Sequence, residues 1–297
     1  MELTIRVQRF NPDTDSDPYM QEYQVQLEPD SRVLDALIQI KRNQDGTLGF
    51  RRSCAHGVCG SDAMRINGKE GLACKTLVKQ VAENDGDVIE LLPLRHLRVQ
   101  RDLMVDQTTF FQNYRQVQPF LLPQEGLKLS PGTQAGTDRG FTPTLTPGAQ
   151  PSAPMETPST PGGVTGSGSG SSPEAAQPNQ GEYIQSPQER ALFDEATKCI
   201  LCAACYSACP VLDKNPDFIG PAAIVQAARF INDSRDQGLE PRLKVLDNPD
   251  GVWPCENHFE CTRVCPREIK ITKLINQTKR QIKSLREGRG EQVHDQK

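Results

Sequence analysis

Ten cysteines fall into three spaced groups, and no other feature limits so strongly what this chain can fold into. The first group is Cys54, Cys59 and Cys74, with Asp62 in register as C-x4-C-x2-D. The second is a run, Cys199-x2-Cys202-x2-Cys205-x3-Cys209-Pro210. The third repeats its tail, as Cys255-x5-Cys261-x3-Cys265-Pro266. The N-terminus opens on Leu3-Thr4-Ile5-Arg6-Val7, which alternates like a strand and resembles neither a secretion signal nor an organelle presequence. A reducing prokaryotic cytosol is therefore the expected compartment. Disulfides are rare there, and clustered cysteines serve metal ligation or catalysis.

Each group fits an iron–sulfur ligand pattern. Plant-type two-iron ferredoxins use C-x4-C-x2-C and a distant fourth cysteine. Asp62 stands at the third position, and a carboxylate oxygen can replace a thiolate on iron. Gly57, Gly60 and Ser61 keep the loop small, so backbone N–H groups can approach the sulfurs. The competing reading is a three-cysteine zinc site with Asp62 as a turn residue, but zinc sites favour closer C-x2-4-C pairs. The second run is the bacterial ferredoxin run, whose fourth cysteine serves the other cluster in two-cluster proteins. That rule gives Cys199, Cys202, Cys205 and Cys265 to a [4Fe–4S] cluster. Cys209, Cys255 and Cys261 are left for the other, and three thiolates suit [3Fe–4S]. His258 occupies the place of the missing middle cysteine. A neutral imidazole is a competent iron ligand, so His258 closing a four-iron cluster is the alternative. Four cysteines within eleven residues are crowded for tetrahedral zinc.

The chain between these groups reads as α+β. Residues 1–100 alternate as strands over 3–10 and 22–27. A helix follows over 32–43 with Asp30 and Ser31 as N-cap candidates. A Gly- and Cys-rich loop covers 50–74, and a last strand begins at Val88. That order is a β-grasp [2Fe–2S] ferredoxin domain. Residues 101–122 read as a connecting helix, with Phe110, Phe111, Tyr114 and Phe120 as apolar contacts. Residues 123–186 are rich in Pro, Gly, Ser and Thr and read as a disordered insertion. Residues 187–297 return to helical patterns, over 188–198, 221–233 and 271–288. They read as an all-α domain with the [4Fe–4S] and [3Fe–4S] clusters. A flexible chain of about 60 residues spreads its ends by roughly 45 Å. Electron tunnelling between clusters cannot tolerate that spread. The two domains are therefore expected to pack directly, with the ends of the insertion close together.

Composition narrows the function. With 34 basic and 38 acidic side chains the net charge is -4, which lacks the basic excess of a nucleic-acid binder. No stretch of about 20 apolar residues occurs, so no membrane-spanning helix is expected. No G-x-G-x-x-G opens a helix after a strand, so no flavin or nicotinamide site is visible. The chain has the makings of an electron conduit without substrate chemistry, and its electrons must come from a partner. Lys270, Lys273, Lys279, Arg280, Lys283, Arg286 and Arg289 line the C-terminal segment. A solvated helix face and contact with an anchor subunit or anionic lipid are the two readings. His56, Lys75 and Trp253 lie near ligands and read as supporting or packing residues.

The residues resemble the iron–sulfur subunit family of succinate dehydrogenase and fumarate reductase. The resemblance rests on Arg52-Ser53-Cys54, Gly57-Val58-Cys59-Gly60-Ser61-Asp62, Asn67-Gly68-Lys69, Gly71-Leu72-Ala73-Cys74, and Arg101-Asp102-Leu103-Met104-Val105-Asp106. It continues in Cys199-Ile200-Leu201-Cys202 and in Asn215-Pro216-Asp217-Phe218-Ile219-Gly220-Pro221-Ala222. It implies docking on an FAD-containing dehydrogenase subunit and on membrane anchor subunits, at the cytoplasmic side of a prokaryotic membrane. It also implies electron flow from flavin through the two-, four- and three-iron clusters to quinone. Some bacterial members of the family carry Asp at the position of Asp62. The chain departs from the family at Ala55, usually Arg, and in the insertion, where the family has a short connection. It departs again at the quinone end. There the family typically has His in place of Glu256, Trp near Lys214, and Ile or Val in place of His258; Pro210 is retained. Pro210, Lys214, Glu256 and His258 are the expected quinone-end residues. A fumarate reductase subunit, or a relative serving another flavoprotein or a non-standard acceptor, is the alternative.

Overall fold

A computed structural model describes residues 1–122 and 184–294, with side chains through Glu287. The expectation of disorder over 123–186 therefore lies outside the described residues, apart from 184–186.

The N-terminal part is a mixed five-stranded sheet with one helix across it. Leu3, Ile5 and Val7 point inward from strand β1 (Glu2–Arg9), the period of two that buries one face. Strand β2 (Tyr19–Gln26) pairs antiparallel with it and sets Leu3 opposite Val25 and Ile5 opposite Tyr23. Helix α1 (Val33–Asn43) buries Val33, Leu34, Leu37 and Ile40, an apolar stripe that closes the core. Its N-cap is Arg32 rather than Asp30 or Ser31. The Asp35 carboxylate accepts the Arg32 N–H at 2.8 Å, while the Ser31 carbonyl is taken by the Val78 N–H.

The stretch 50–74 is not all loop. Strands β3 (Ala63–Ile66) and β4 (Lys69–Leu72) form a hairpin around Asn67 and Gly68, at φ of 48° and 80°. That left-handed pair makes the two-residue turn whose twist matches the strands. Strand β5 (Val88–Leu92) then runs parallel to β1 and gives the order β2-β1-β5-β3-β4.

The expected helix over 101–122 is shorter and is preceded by a second hairpin. Strands β6 (Val99–Arg101) and β7 (Met104–Val105) come first, and helix α2 spans Thr108–Gln116. The turn at Asp102, with φ of 48°, is fixed by that carboxylate, which accepts from the Phe10 N–H (2.8 Å), the Gly49 N–H (2.6 Å) and Arg9 (3.1 Å). Phe110 is buried, Phe111 and Tyr114 are half-buried, and Phe120 lies past the helix end and is exposed.

The C-terminal part is helical. The expected helix over 188–198 is broken in two, α3 (Pro187–Ala191) and α4 (Asp194–Thr197), with buried Phe193 between them. Short helices α5 (Ala204–Ser207), α6 (Val211–Lys214) and α9 (Glu260–Arg263) adjoin the cysteines. Helix α7 (Pro221–Ile231) is buried on nearly every side and packs against α2, α4, α5, α8 (Leu239–Leu246) and α10 (Ile271–His294). A helix apolar all round belongs at the centre, and this one organises the domain.

The two parts meet in one compact unit. Phe110 meets Tyr206 edge-on at 5.7 Å. The Ser207 hydroxyl donates to Glu70 (2.8 Å) and accepts the Arg95 N–H (2.8 Å). The chain leaves and returns at one turn. The Leu122 N–H donates to Asp236 and its carbonyl accepts from Gln237, each at 2.9 Å, while the Gln185 side chain donates to Asp233 at 3.0 Å. Fully buried Arg242 secures the exit by donating to the carbonyls of Val117, Gln118 and Phe120 and pairing with Asp236. Removing one side of such a buried pair costs about 3–5 kcal/mol.

Candidate metal centres

The first centre is a loop wrapped around sulfur. Cys54 Sγ accepts backbone N–H groups of His56, Val58 and Cys59 at 3.5, 3.4 and 3.3 Å. Ala55, Gly57 and Gly60 adopt left-handed backbone, which turns successive amides inward as an anion-binding concavity. These amides hold the Cys54 thiol down at about 6, so its sulfur is prepared as thiolate. Cys74 lies behind the loop, where burial and the neighbouring Asp62 push its thiol up to about 12. Asp62 is buried. Its Oδ2 accepts the Cys74 N–H at 2.5 Å, while its Oδ1 is buried without a hydrogen-bond partner. An unpaired carboxylate oxygen in such a place is costly unless something positive meets it. The residues present therefore fit a cationic metal group.

The other seven cysteines sort into two pockets. Cys199, Cys202, Cys205 and Cys265 line one, together with Ile200, Ala222 and Val225. Cys209, Cys255 and Cys261 line the other, with Pro210, His258 and Phe259. The two runs are built alike. Leu201 and Ala203 are left-handed two and four residues after Cys199, and Asn257 and Phe259 are left-handed at the same offsets from Cys255. Four non-glycine residues in that region cost roughly 1–3 kcal/mol each, which points to a local function for the geometry. Burial pushes Cys202 up to about 12, Cys209 up to about 11 and Cys205 well above its usual value. Without a cation these are neutral thiols, and metal binding would release their protons. Among the described residues no three His, Cys, Asp or Glu side chains converge as a single metal ion requires. The C-x2-C-x2-C-x3-C-P run and its C-P-ended partner have the donor set of iron–sulfur clusters.

The first centre abuts the second. A Cβ at Gly60 would lie 2.6 Å from Cys202 Cβ, so the two ligand loops touch and only glycine fits. Lys75, beside Cys74, donates to the Pro266 carbonyl beside Cys265 at 2.8 Å. The sequence placed Lys75 near ligands but held no sign of this bridge. At the far end, Lys214, Glu256 and His258 line one surface pocket with Val211, Asn215 and Pro254, and Pro210 lies in the adjoining cysteine pocket. His258 Nε2 is 3.3 Å from Glu256 Oε2. His56 Nδ1 lies 2.5 Å from the Cys54 carbonyl, and Trp253 donates to Asp247 at 2.9 Å.

The basic C-terminal residues divide. Lys279 donates to the Cys255 carbonyl at 2.7 Å, and Arg286 pairs with Asp247 and stacks over Trp253. Lys270, Lys273, Arg280 and Lys283 are exposed, and the Arg289 side chain lies outside the described residues. Among the described residues no helix is long and apolar enough to cross a membrane.

Comparison with known proteins gives the family of both parts of the chain. Residues 4–112 match the 2Fe-2S iron-sulfur cluster binding domain family, and residues 195–269 match the 4Fe-4S dicluster domain family. A chain of the Mycobacterium smegmatis Sdh1 complex in the apo form superposes with a TM-score of 0.70 at 24% identity, covering 95% of each chain. The succinate dehydrogenase iron-sulfur subunit of Coxiella burnetii is 34% identical over 282 residues, covering 94% of this chain and 97% of that protein. This chain belongs to the family of succinate dehydrogenase iron–sulfur subunits, the electron-transfer part of an oxidoreductase.

Proposed function

We propose that this chain relays electrons from an FAD-containing subunit that oxidises succinate, through [2Fe–2S], [4Fe–4S] and [3Fe–4S] centres, to quinone at a membrane anchor. When bound, the clusters supply one-electron redox centres. Cys54, Cys59, Asp62 and Cys74 hold the first. Cys199, Cys202, Cys205 and Cys265 hold the second, and Cys209, Cys255 and Cys261 hold the third. The observation that carries this reading is the sorting of seven cysteines into two pockets, one of them touching the first loop at Gly60. His258 is assigned to the acceptor pocket rather than to iron, because its Nε2 faces Glu256.

The test is expression of the whole complex. A flavoprotein that co-purifies, succinate-dependent dye reduction, and EPR signals of three distinct clusters are expected. Zinc in place of iron, or a partner without flavin, would overturn the reading. A second reading, a relative with a non-standard acceptor, is favoured by the Lys214–Glu256–His258 pocket. Quinone reduction that is unchanged when Glu256 and His258 are replaced together would support it over the first.

A further inference from the structure

Two threonines outside the ligand set hydrogen-bond to one another beside Cys261. Thr272 lies in the first turn of α10 and is buried, with its Oγ1 3.6 Å from Cys261 Sγ. Thr262, on α9, has its Oγ1 3.0 Å from Thr272 Oγ1 and accepts the Thr272 backbone N–H, also at 3.0 Å. A ligating thiolate carries no proton, so the sulfur can only accept. The Thr272 hydroxyl, 3.6 Å away, can then direct its proton at Cys261, and the Thr262 hydroxyl has two acceptors within reach, Thr272 Oγ1 and Cys261 itself. Its acceptor role toward the Thr272 N–H leaves Thr262 free to donate to either.

We propose that Thr272, ordered by Thr262, is a positioning residue that raises the reduction potential of the centre held by Cys209, Cys255 and Cys261. Hydrogen bonds to cluster sulfurs are among the factors that set these potentials. A donor to the thiolate favours the more negative, reduced state, and burial strengthens the effect. The inference rests on Cys261 being a ligand of the third centre, as proposed above.

The experiment is an EPR-monitored redox titration of the assembled complex. Thr272→Val removes the hydroxyl at nearly constant shape. It should lower the potential of the third centre by about 59 mV, a tenfold change in a one-electron equilibrium. The other two centres should not move. Thr272→Ser should restore most of the potential, and Thr262→Val should lower it by a smaller step. A third-centre potential unmoved by Thr272→Val, or moved equally by Thr272→Ser, overturns the inference while leaving the three-cluster reading intact. A native complex with no EPR signal that depends on Cys261 overturns both. If Thr272→Val does not assemble, Thr262→Val decides alone, and an unchanged potential there counts against the proposal.

Discussion

Asp62 has one oxygen engaged by the Cys74 N–H and the other buried with no partner, which is costly unless a positive centre meets it. Asp62→Ala should therefore abolish the two-iron EPR signal, whereas Asp62→Cys should keep the centre and change its spectrum or potential. Unchanged iron content and spectra in both variants would remove Asp62 from the ligand set. Gly60 makes the opposite demand, for nothing at all. Its φ is 71°, and a methyl there would meet Cys202 at 2.6 Å. Gly60→Ala should destabilise by roughly 1–3 kcal/mol through strain and overpacking. It should also slow electron passage from the first centre to the second; a melting curve and stopped-flow reduction would show both. The candidate ligand residues are legible because the spacing within each cysteine run is a local property of the chain. The Gly60–Cys202 and Lys75–Pro266 contacts are not, because each joins residues more than a hundred positions apart.

At the scale of elements, β1 ends its buried row on Arg9 rather than on an aliphatic residue. The guanidinium is matched by Asp102, Asp45, Gln21 and Thr47, and Tyr23 adds a bond to Asp45 at 2.8 Å. This network ties β1, β2, the end of α1 and the β6–β7 hairpin to Gly49, just before the first cysteine loop. Burial alone would raise the Asp45 carboxyl, but bonds from Thr47, Tyr23 and Arg9 outweigh it and hold it well below the usual range. A depressed folded value contributes stability above the unfolded carboxylate value of about 3.9 and loses it as pH falls below that. Asp45→Asn should lower the melting temperature at neutral pH and flatten its decline below about pH 4. Equal acid sensitivity in variant and parent would contradict this. Alternation made β1, β2 and β5 readable, and the stripe on α1 did the same. The β3–β4 hairpin carries the Asn67-Gly68 turn signal, yet its four-residue strands are too short to establish a period among glycines and cysteines. Phe110, Phe111, Tyr114 and Phe120 suggest a helix out to residue 122, but Phe120 is exposed and Arg242 holds that segment by its carbonyls.

For the whole molecule, the connection between the two cluster domains begins and ends on the turn from Asp233 to Gln237. A link of about eight Gly/Ser residues can close so short a gap. Replacing residues 125–182 in this way should preserve assembly and succinate-to-dye activity within about twofold. A large loss in a stably assembled complex would assign the insertion a task of its own. The composition of the insertion was plain in the sequence, but the place where its ends meet depends on Asp233, Asp236 and Arg242, far downstream.

The pocket lined by Cys199, Cys202 and Cys205 is completed by Cys265, and the pocket lined by Cys255 and Cys261 is completed by Cys209. Neither set is whole in any N-terminal fragment that stops before its last member. On the ribosome, the ligands proposed for the first centre are all present once residue 74 has emerged, nearly two hundred residues ahead of Cys265. The proposed ligand sets give maturation a built-in order. The two-iron centre can be filled on a growing chain. The two centres of the helical domain become fillable almost together, when Cys261 and Cys265 leave the exit tunnel, and a nascent chain stalled between them would offer the machinery one complete site and one open one.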